Sequence, residues 1–217
     1  MQLTFINGSP RGKNSNTGKF MDNFIRGFLE TDGNNCDVEY LVHHRKDLDT
    51  LVSIFLKSEN VIIGFPLYVD AMPGSTKEFM EALAPLAHAD TLPALGFMSQ
   101  CGFPETHHLR FVERYLEKYT RKLGCNYIGS IMKGGGEGLH IQPGFLVEKS
   151  FDLMYEIGLE FGKTGSLDPL LLEKLAQPET LEIQQIQGLV PYVNEKLWDG
   201  WLAENDALDK SFDRPLD

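Results

Sequence analysis

Short apolar runs alternate with longer segments of helical spacing along most of this chain. Runs typical of strands lie at residues 3–6, 38–42, 61–65, 94–98 and 127–132. Apolar residues at helical spacing predict helices near 20–29, 48–56, 79–83, 104–123 and 145–161. Five β-α units in a row are typical of a doubly wound α/β fold, in which helices cover both faces of a parallel sheet.

The topology of such a sheet predicts where function lies. Ligands of doubly wound sheets bind outside the carboxyl ends of the strands. In this chain those ends are Ile6, Phe65, Met98 and Met132. We therefore expect functional residues in the loops that follow them.

The loop after the first strand has the composition of an anion site. Residues 8–17 form a connection longer than the usual two to six residues. The amino terminus of the next helix leaves backbone amides unpaired and carries partial positive charge, which favours a phosphate group. Further donors are supplied by Ser9, Arg11, Ser15, Asn16 and Thr17. We favour phosphate binding over a plain turn with a helix cap.

Three familiar phosphate motifs do not fit. A Walker loop needs one more residue than Gly8 to Lys13 provides, and Asn14 stands where magnesium requires a hydroxyl. A phosphatase loop needs a nucleophilic cysteine at the position of Asn7. The glycines at 134–136 and 138 have the wrong spacing for a dinucleotide fingerprint.

Charge and cysteine content restrict the partners and the compartment. The formal net charge of −11 disfavours nucleic acid and anionic membranes as partners. The three cysteines are far apart, which argues against a disulfide framework and indicates a reducing cytoplasm. The apolar run at 3–6 is too short for a signal peptide, and no stretch approaches the length of a membrane span.

Other reactive residue types have ordinary interpretations. The histidine pairs 43–44 and 107–108 lack a third ligand at recognisable spacing, so we expect surface histidines and no metal site. Glu137 and His140 follow the fifth strand and are candidates for the border of a substrate pocket. Phe103, Trp198 and Trp201 are candidates for stacking on a substrate or a dimer partner, with core packing as the alternative.

The pattern changes in the carboxy-terminal part. Asp168 and Pro169 form a helix start, and Pro191 is predicted to open another segment, which carries both tryptophans. This arm is expected either to fold over its own subunit or to clasp a partner. Residues 206–217 are polar and are expected to form a loose tail.

Three loop segments in register resemble one family. N-G-S-P-R-x-x-x-S-N-T follows the first strand, G-F-P-L-Y-V-D-A-M-P-G the third and S-Q-C-G-F-P-E the fourth. Over about the first 165 residues the chain resembles the NAD(P)H-dependent FMN reductase and iron–sulfur flavoprotein-like group of the flavodoxin-like superfamily. The stretch at 41–48 lacks the cysteine cluster of the iron–sulfur members, so we expect no cluster.

The resemblance implies a fold and a domain organisation. It implies a flavodoxin-like doubly wound five-stranded parallel sheet in the order 2-1-3-4-5, with a carboxy-terminal helical arm. Residues 1–165 would form the FMN-binding domain, 166–205 a helical extension that acts as a lid or dimer arm, and 206–217 a polar tail.

The resemblance also implies site residues for non-covalently bound FMN. The phosphate would be held by Ser9, Arg11, Ser15, Asn16 and Thr17. The isoalloxazine would be lined by Pro66, Leu67, Tyr68, Val69, Asp70 and Met72. The ring or ribityl chain would be met from the other side by Ser99, Gln100, Cys101 and Gly102. The second set also makes physical sense, because a flat ring needs apolar walls with fixed backbone.

The implied activity is that of an FMN-dependent NAD(P)H oxidoreductase. Hydride would pass from NADH or NADPH through FMN to a small acceptor such as a quinone, an azo or nitro compound, or free flavin. No side chain is required as acid or base, and a homodimer is expected. Two alternatives stay open, an electron carrier like flavodoxin, which the acidic charge suits, and a phosphate-binding regulatory module without redox activity.

Overall fold

A computed structural model describes residues 1–214 of the chain. The chain divides into two compact units, Met1–Glu179 and Thr180–Asp217. The strands are β1 (Gln2–Asn7), β2 (Asn35–Tyr40), β3 (Asn60–Pro66), β4 (Ala94–Gln100) and β5 (Tyr127–Lys133). The α-helices of the first unit are α1 (Asn16–Phe28), α2 (Leu41–His44), α3 (Leu48–Lys57), α4 (Gly74–Ala82), α5 (Arg110–Leu123), α6 (Gly144–Thr164) and α7 (Pro169–Leu175).

The five strands form one parallel sheet in the order β2-β1-β3-β4-β5. Phe5 of β1 lies beside Val38 of β2 and Ile62 of β3, so β1 is a central strand. This order confirms the predicted topology. Because the chain reverses its direction of winding between β1 and β3, the crevice for a ligand is expected at the carboxyl ends of these two strands.

The apolar core has two layers, one on each face of the sheet. Successive side chains of a strand point to opposite faces. Accordingly, Ile63 joins a cluster with Phe55 and Phe79 from α3 and α4. Ile62 joins the opposite cluster, with Phe24 from α1. Helices on both faces therefore explain why the central strands are apolar runs instead of alternating ones.

Helices α1 and α6 pack with their backbones in close approach. A Cβ atom on Gly158 of α6 would overlap the carbonyl oxygen of Phe24 in α1. The rings of Phe24 and Phe161 lie 5.8 Å apart in the same interface. This packing holds α1 against the sheet, and with it the amino terminus of α1 beside the carboxyl end of β1.

Several predicted boundaries were wrong. β2 ends at Tyr40 because Leu41 turns into the core and begins the short helix α2. The helix predicted from residue 104 begins at Arg110, after a 3₁₀ turn at Thr106–Leu109. Asp168 caps α7 as predicted, since its carboxylate accepts from the amides of Leu170 and Leu171. Helix α7 contacts α6 and β5.

The described part of the second unit is helical. It contains α8 (Ile183–Val193), a π-helical segment (Asn194–Trp198) and α9 (Asp199–Glu204). Pro191 does not open a segment but lies inside α8. Proline removes an amide donor and crowds the preceding turn, and a π-helical segment begins at Asn194, three residues after it. The rings of Trp198 and Trp201 meet edge to face at 5.6 Å.

The expected tail at 206–217 includes a short 3₁₀ turn at Leu208–Lys210, and residues 215–217 lie outside the described part. Across residues 1–214, none of the helices combines the length and the apolar character that crossing a membrane requires.

Candidate functional site at the carboxyl ends of the strands

The loop after β1 is held by its own polar side chains. Asn7 is fully buried, and its Oδ1 accepts from the amide of Ser9 at 2.9 Å. Its Nδ2 donates to the carbonyl of Gly12 at 3.3 Å. The hydroxyl of Ser15 donates to the same carbonyl at 2.6 Å and accepts from the amide of Gly18 at 2.9 Å. Ser9 and Ser15 therefore shape the loop, and Ser15 caps α1.

The first turn of α1 provides donors for a ligand. The amides of Asn16 and Thr17 lie in this turn, where a helix supplies no carbonyl partner. The hydroxyl of Thr17 is buried and makes no hydrogen bond within the protein. A buried hydroxyl without a partner is costly. Its presence at a helix amino terminus favours a site that an anionic group completes.

Arg11 connects the first loop with the loop after β5. Its Nη1 donates to Oε1 of Glu137 at 2.9 Å, and its side chain is 58% exposed. The hydrogen bond and the negative charge of Glu137 raise the pKa of Arg11, to which Tyr68 in the loop after β3 also contributes. Two loops, after β1 and after β5, thus meet at one guanidinium. Glu137 was predicted only to border a pocket, and its pairing with Arg11 was not foreseen.

The loop after β3 is a tight turn with an unusual backbone. Tyr68 and Ala71 exchange two backbone hydrogen bonds, of 2.7 and 3.1 Å. Between them, Val69 and Asp70 both have positive φ, 48° and 63°. Left-handed backbone is unfavourable for a β-branched residue, and such strain tends to occur at functional sites. Val69 is 98% exposed, so no packing compensates for it.

The other residues predicted to line the ring divide into two groups. Pro66 is buried at the end of β3, and Leu67 and Met72 pack against the core cluster that contains Phe79. The side chains that face outward are those of Tyr68, Val69 and Asp70.

The end of β4 carries two more unsatisfied polar atoms. The hydroxyl of Ser99 and Oε1 of Gln100 are buried and have no hydrogen-bond partner within the protein. Cys101 is also buried, and its Sγ donates to the carbonyl of Phe103 at 3.4 Å. Burial raises the pKa of this thiol to about 11, so it is not a thiolate at neutral pH. Gly102 is exposed.

The glycines after β5 allow the loop after β4 to approach closely. The amide of Gly136 donates to the carbonyl of Cys101 at 2.7 Å, and the amide of Gly135 donates to that of Phe103 at 2.6 Å. A Cβ atom on Gly136 would overlap the amide oxygen of Gln100. Consecutive glycines directly after a strand indicate such close backbone approach. That signal was present in the sequence.

Hydrogen bonds connect the loops at the carboxyl edge of the sheet. The amide of Gly8 donates to the carbonyl of Gly64 at 2.7 Å, and the hydroxyl of Thr76 donates to the carbonyl of Gly8 at 3.0 Å. The amide of Leu67 donates to the carbonyl of Gln100 at 2.7 Å. These bonds join the loops after β1, β3 and β4.

Several solved structures share this architecture. An NADH:FMN oxidoreductase in its apo form superimposes with a TM-score of 0.58 at 17% identity, over 82% of this chain and 96% of that one. The chain has a flavodoxin-like fold. The fold is shared with an FMN-dependent NADH-azoreductase from Bacillus anthracis in complex with FMN, with a TM-score of 0.57 at 13% identity, over 74% of this chain and 99% of that one.

A third structure with the flavodoxin-like fold is the NAD(P)H:quinone oxidoreductase from Methanothermobacter marburgensis. Its TM-score is 0.58 at 11% identity, over 77% of this chain and 97% of that one. No protein-family model and no curated protein matches the sequence. At these identities the comparisons establish the flavodoxin-like fold alone.

Proposed function

We propose that this protein binds FMN and uses it as an NAD(P)H-dependent oxidoreductase that reduces a small acceptor. The observation that carries the proposal is the unpaired, buried hydroxyl of Thr17 beside the first-turn amides of α1. Together these groups suit a phosphate monoester, and the flavodoxin-like fold supports a flavin mononucleotide as its source.

The residues present fit the rest of the cofactor. Ser99 and Gln100 offer a hydroxyl and an amide oxygen without partners within the protein. The hydroxyl can donate or accept and the amide oxygen can accept, so both suit a polar ribityl chain or ring edge. The exposed turn at 68–71 supplies an aromatic and an aliphatic side chain for a flat ring. We retain all fifteen residues of the sequence prediction as the proposed FMN site, with Ser9 and Ser15 acting through the shape of the loop.

In this proposal the protein contributes binding and orientation. When bound, FMN would supply the redox chemistry, because it accepts hydride from a reduced nicotinamide and returns electrons to an acceptor. Thr17, Asn16 and Arg11 would hold the phosphate. The tight turn at 68–71 would fix one wall of the ring site, and no side chain is assigned a proton-transfer step.

The proposed acceptors are a quinone, an azo or nitro compound, or free flavin. The azoreductase and the quinone oxidoreductase that share the fold support the first two classes. An electron carrier without a small substrate is the second candidate, because the net charge of −11 would suit docking to basic redox partners.

One spectrum tests the proposal. The purified full-length protein, incubated with FMN and desalted, should be yellow, and anaerobic NADH or NADPH should bleach it. Turnover of menadione or an azo dye then separates an enzyme from a carrier. A protein that stays colourless after incubation contradicts the proposal, and a yellow protein that neither nicotinamide bleaches supports the carrier.

We further propose a cytoplasmic homodimer in which the carboxy-terminal unit takes part. The free thiols of Cys36, Cys101 and Cys125 suit a reducing compartment. Trp198 and Trp201 are 54% and 42% exposed, which is unusual for large aromatic side chains and favours a contact with a partner or a substrate. Replacing both with alanine should change the sedimentation mass or the acceptor preference, whereas Phe111→Ala, at an exposed aromatic of α5 outside the carboxy-terminal unit, should change neither.

A further inference from the structure

The 3₁₀ turn after β4 brings together three side chains that can bind a metal. Glu105, His107 and His108 each place one donor atom within 4.8 Å of the others. Nε2 of His108 lies 3.6 Å from Oε2 of Glu105. In a tetrahedral zinc site, bonds of 2.0–2.2 Å put neighbouring ligand atoms about 3.4 Å apart. In the part of the chain that the structure describes, no second group of three such side chains occurs.

A backbone carbonyl orients His107. Its Nδ1 lies 3.2 Å from the carbonyl oxygen of Glu179, which also accepts the His107 amide at 3.1 Å. Because a carbonyl only accepts, Nδ1 carries the hydrogen, and the neutral ring presents the lone pair of Nε2. Metal-binding histidines in proteins are commonly held in this way through their second nitrogen.

The support behind His107 is itself anchored. Nε and Nη2 of Arg110 donate to the two carboxylate oxygens of Glu179, at 2.9 and 2.7 Å. This paired contact lowers the pKa of Glu179. A bidentate contact between a guanidinium and a carboxylate fixes the relative orientation of the two side chains and also stabilises the pair.

Stacking orients the second imidazole. The ring of His108 stacks on Phe103 at 4.3 Å between centroids, with 26° between the planes. The side chains of His108 and Glu105 are 26% and 16% exposed, so the cluster is sheltered but within reach of an ion. The ring of His107 lies against that of His108, with 4.0 Å between the centroids, so the two imidazoles and the carboxylate of Glu105 form one compact group.

We propose that Glu105, His107 and His108 form a binding site for a divalent transition metal, with Zn²⁺ as the cation that best suits two imidazoles and one carboxylate. Water completes the coordination. The ion holds the loop at 101–109 in place. Carbonyl groups of this loop accept hydrogen bonds from the amides of the glycines after β5. This inference is independent of the proposed flavin chemistry.

Calorimetric titration of the full-length, chelator-treated protein with ZnCl₂ tests the site. We expect saturable binding of one ion per chain and a rise in melting temperature that EDTA reverses. The variants His107→Ala, His108→Ala and Glu105→Gln each remove a proposed ligand. Loss of a hydrogen bond that supports a ligand typically weakens metal binding about 10- to 100-fold, so each variant should weaken zinc binding by at least this factor. Circular dichroism in EDTA verifies that each variant is folded.

His44→Ala is the matched control. His44 pairs with Glu39 at 2.8 Å but belongs to no group of three ligands in residues 1–214, so its loss should leave zinc binding unchanged. The proposal is overturned if the wild-type protein binds no zinc, or if the three cluster variants bind it as tightly as wild type. It is also overturned if His44→Ala weakens binding as much as they do.

Discussion

Arg11 and Glu137 form an ion pair of 2.9 Å across two loops that are 126 positions apart in the chain. The pair joins the loop after β1 to the loop after β5. In the proposed site the guanidinium also serves the phosphate of FMN. Glu137 then either orients Arg11 or competes with the phosphate for it, and substitutions can separate these two roles.

Arg11→Ala is expected to weaken FMN binding. A hydrogen bond to a charged group contributes about 1.5–3 kcal/mol, which corresponds to roughly a 10- to 150-fold increase in the dissociation constant. Quenching of flavin fluorescence measures it. Glu137→Gln keeps the size of the side chain and removes its charge. Tighter binding by this variant indicates competition, and weaker binding indicates that Glu137 orients Arg11. Unchanged affinity in Arg11→Ala rules out the phosphate contact.

Thr17→Val should leave the cofactor-free protein at least as stable as wild type but should weaken the binding of FMN. It replaces an unpaired buried hydroxyl with a methyl group of similar size, so the stability of the cofactor-free protein should be unchanged or higher. FMN affinity should fall by about 1.5–3 kcal/mol if the hydroxyl binds the phosphate. Denaturant unfolding and flavin titration measure the two effects.

Thr120→Val is the control for this substitution. Thr120 is equally buried, but its hydroxyl donates to the carbonyl of Leu116 within α5. Its replacement should leave FMN affinity unchanged. A Thr17→Val protein that is less stable without FMN and unaltered in affinity would assign the hydroxyl to the core.

Val69→Asn should stabilise the protein. A left-handed conformation costs an ordinary side chain about 1–2 kcal/mol, and asparagine tolerates it far better. The unfolding midpoint in urea should rise. Val69→Ala keeps the Cβ atom that causes the strain and should gain much less. If Val69→Asn is no more stable than wild type, the turn is not strained in solution.

The three cysteines predict a loss of stability at alkaline pH. Burial raises the pKa of Cys101 and Cys125 to about 11 and of Cys36 to about 12, against 9.0 for a free thiol. The folded protein therefore holds protons that the unfolded chain releases. The resulting stabilisation is complete below about pH 9 and is lost as pH rises toward 11–12.

Unfolding free energies at pH 8 and pH 10.5 measure this effect. A variant with alanine at all three positions should lose less stability over the interval than wild type does. Native thiols should also react slowly with Ellman's reagent at pH 8 and react fully in denaturant. Rapid reaction of all three thiols in the native protein contradicts the burial argument.

The local pattern of the chain was enough to predict the sheet. Apolar runs such as 61–65 and helical spacing such as 145–161 depend on near neighbours, and they indicated the order of elements correctly. The helix predicted near residues 20–29 begins earlier, at Asn16, where the hydroxyl of Ser15 caps it. The boundary at Leu41 was missed because the burial of this residue overrode the local signal, and Pro191 lies inside α8 where the sequence predicted the start of a segment.

Contacts between distant loops were decided only by the tertiary structure. Nothing in the sequence pairs Arg11 with Glu137 or places Glu179 behind His107, because these contacts join segments separated by 126 and 72 positions. The sequence by itself determined which strands form and which loops follow them. The packing of helices on the sheet decided which polar atoms find partners and which, such as the hydroxyl of Thr17, are left for a ligand.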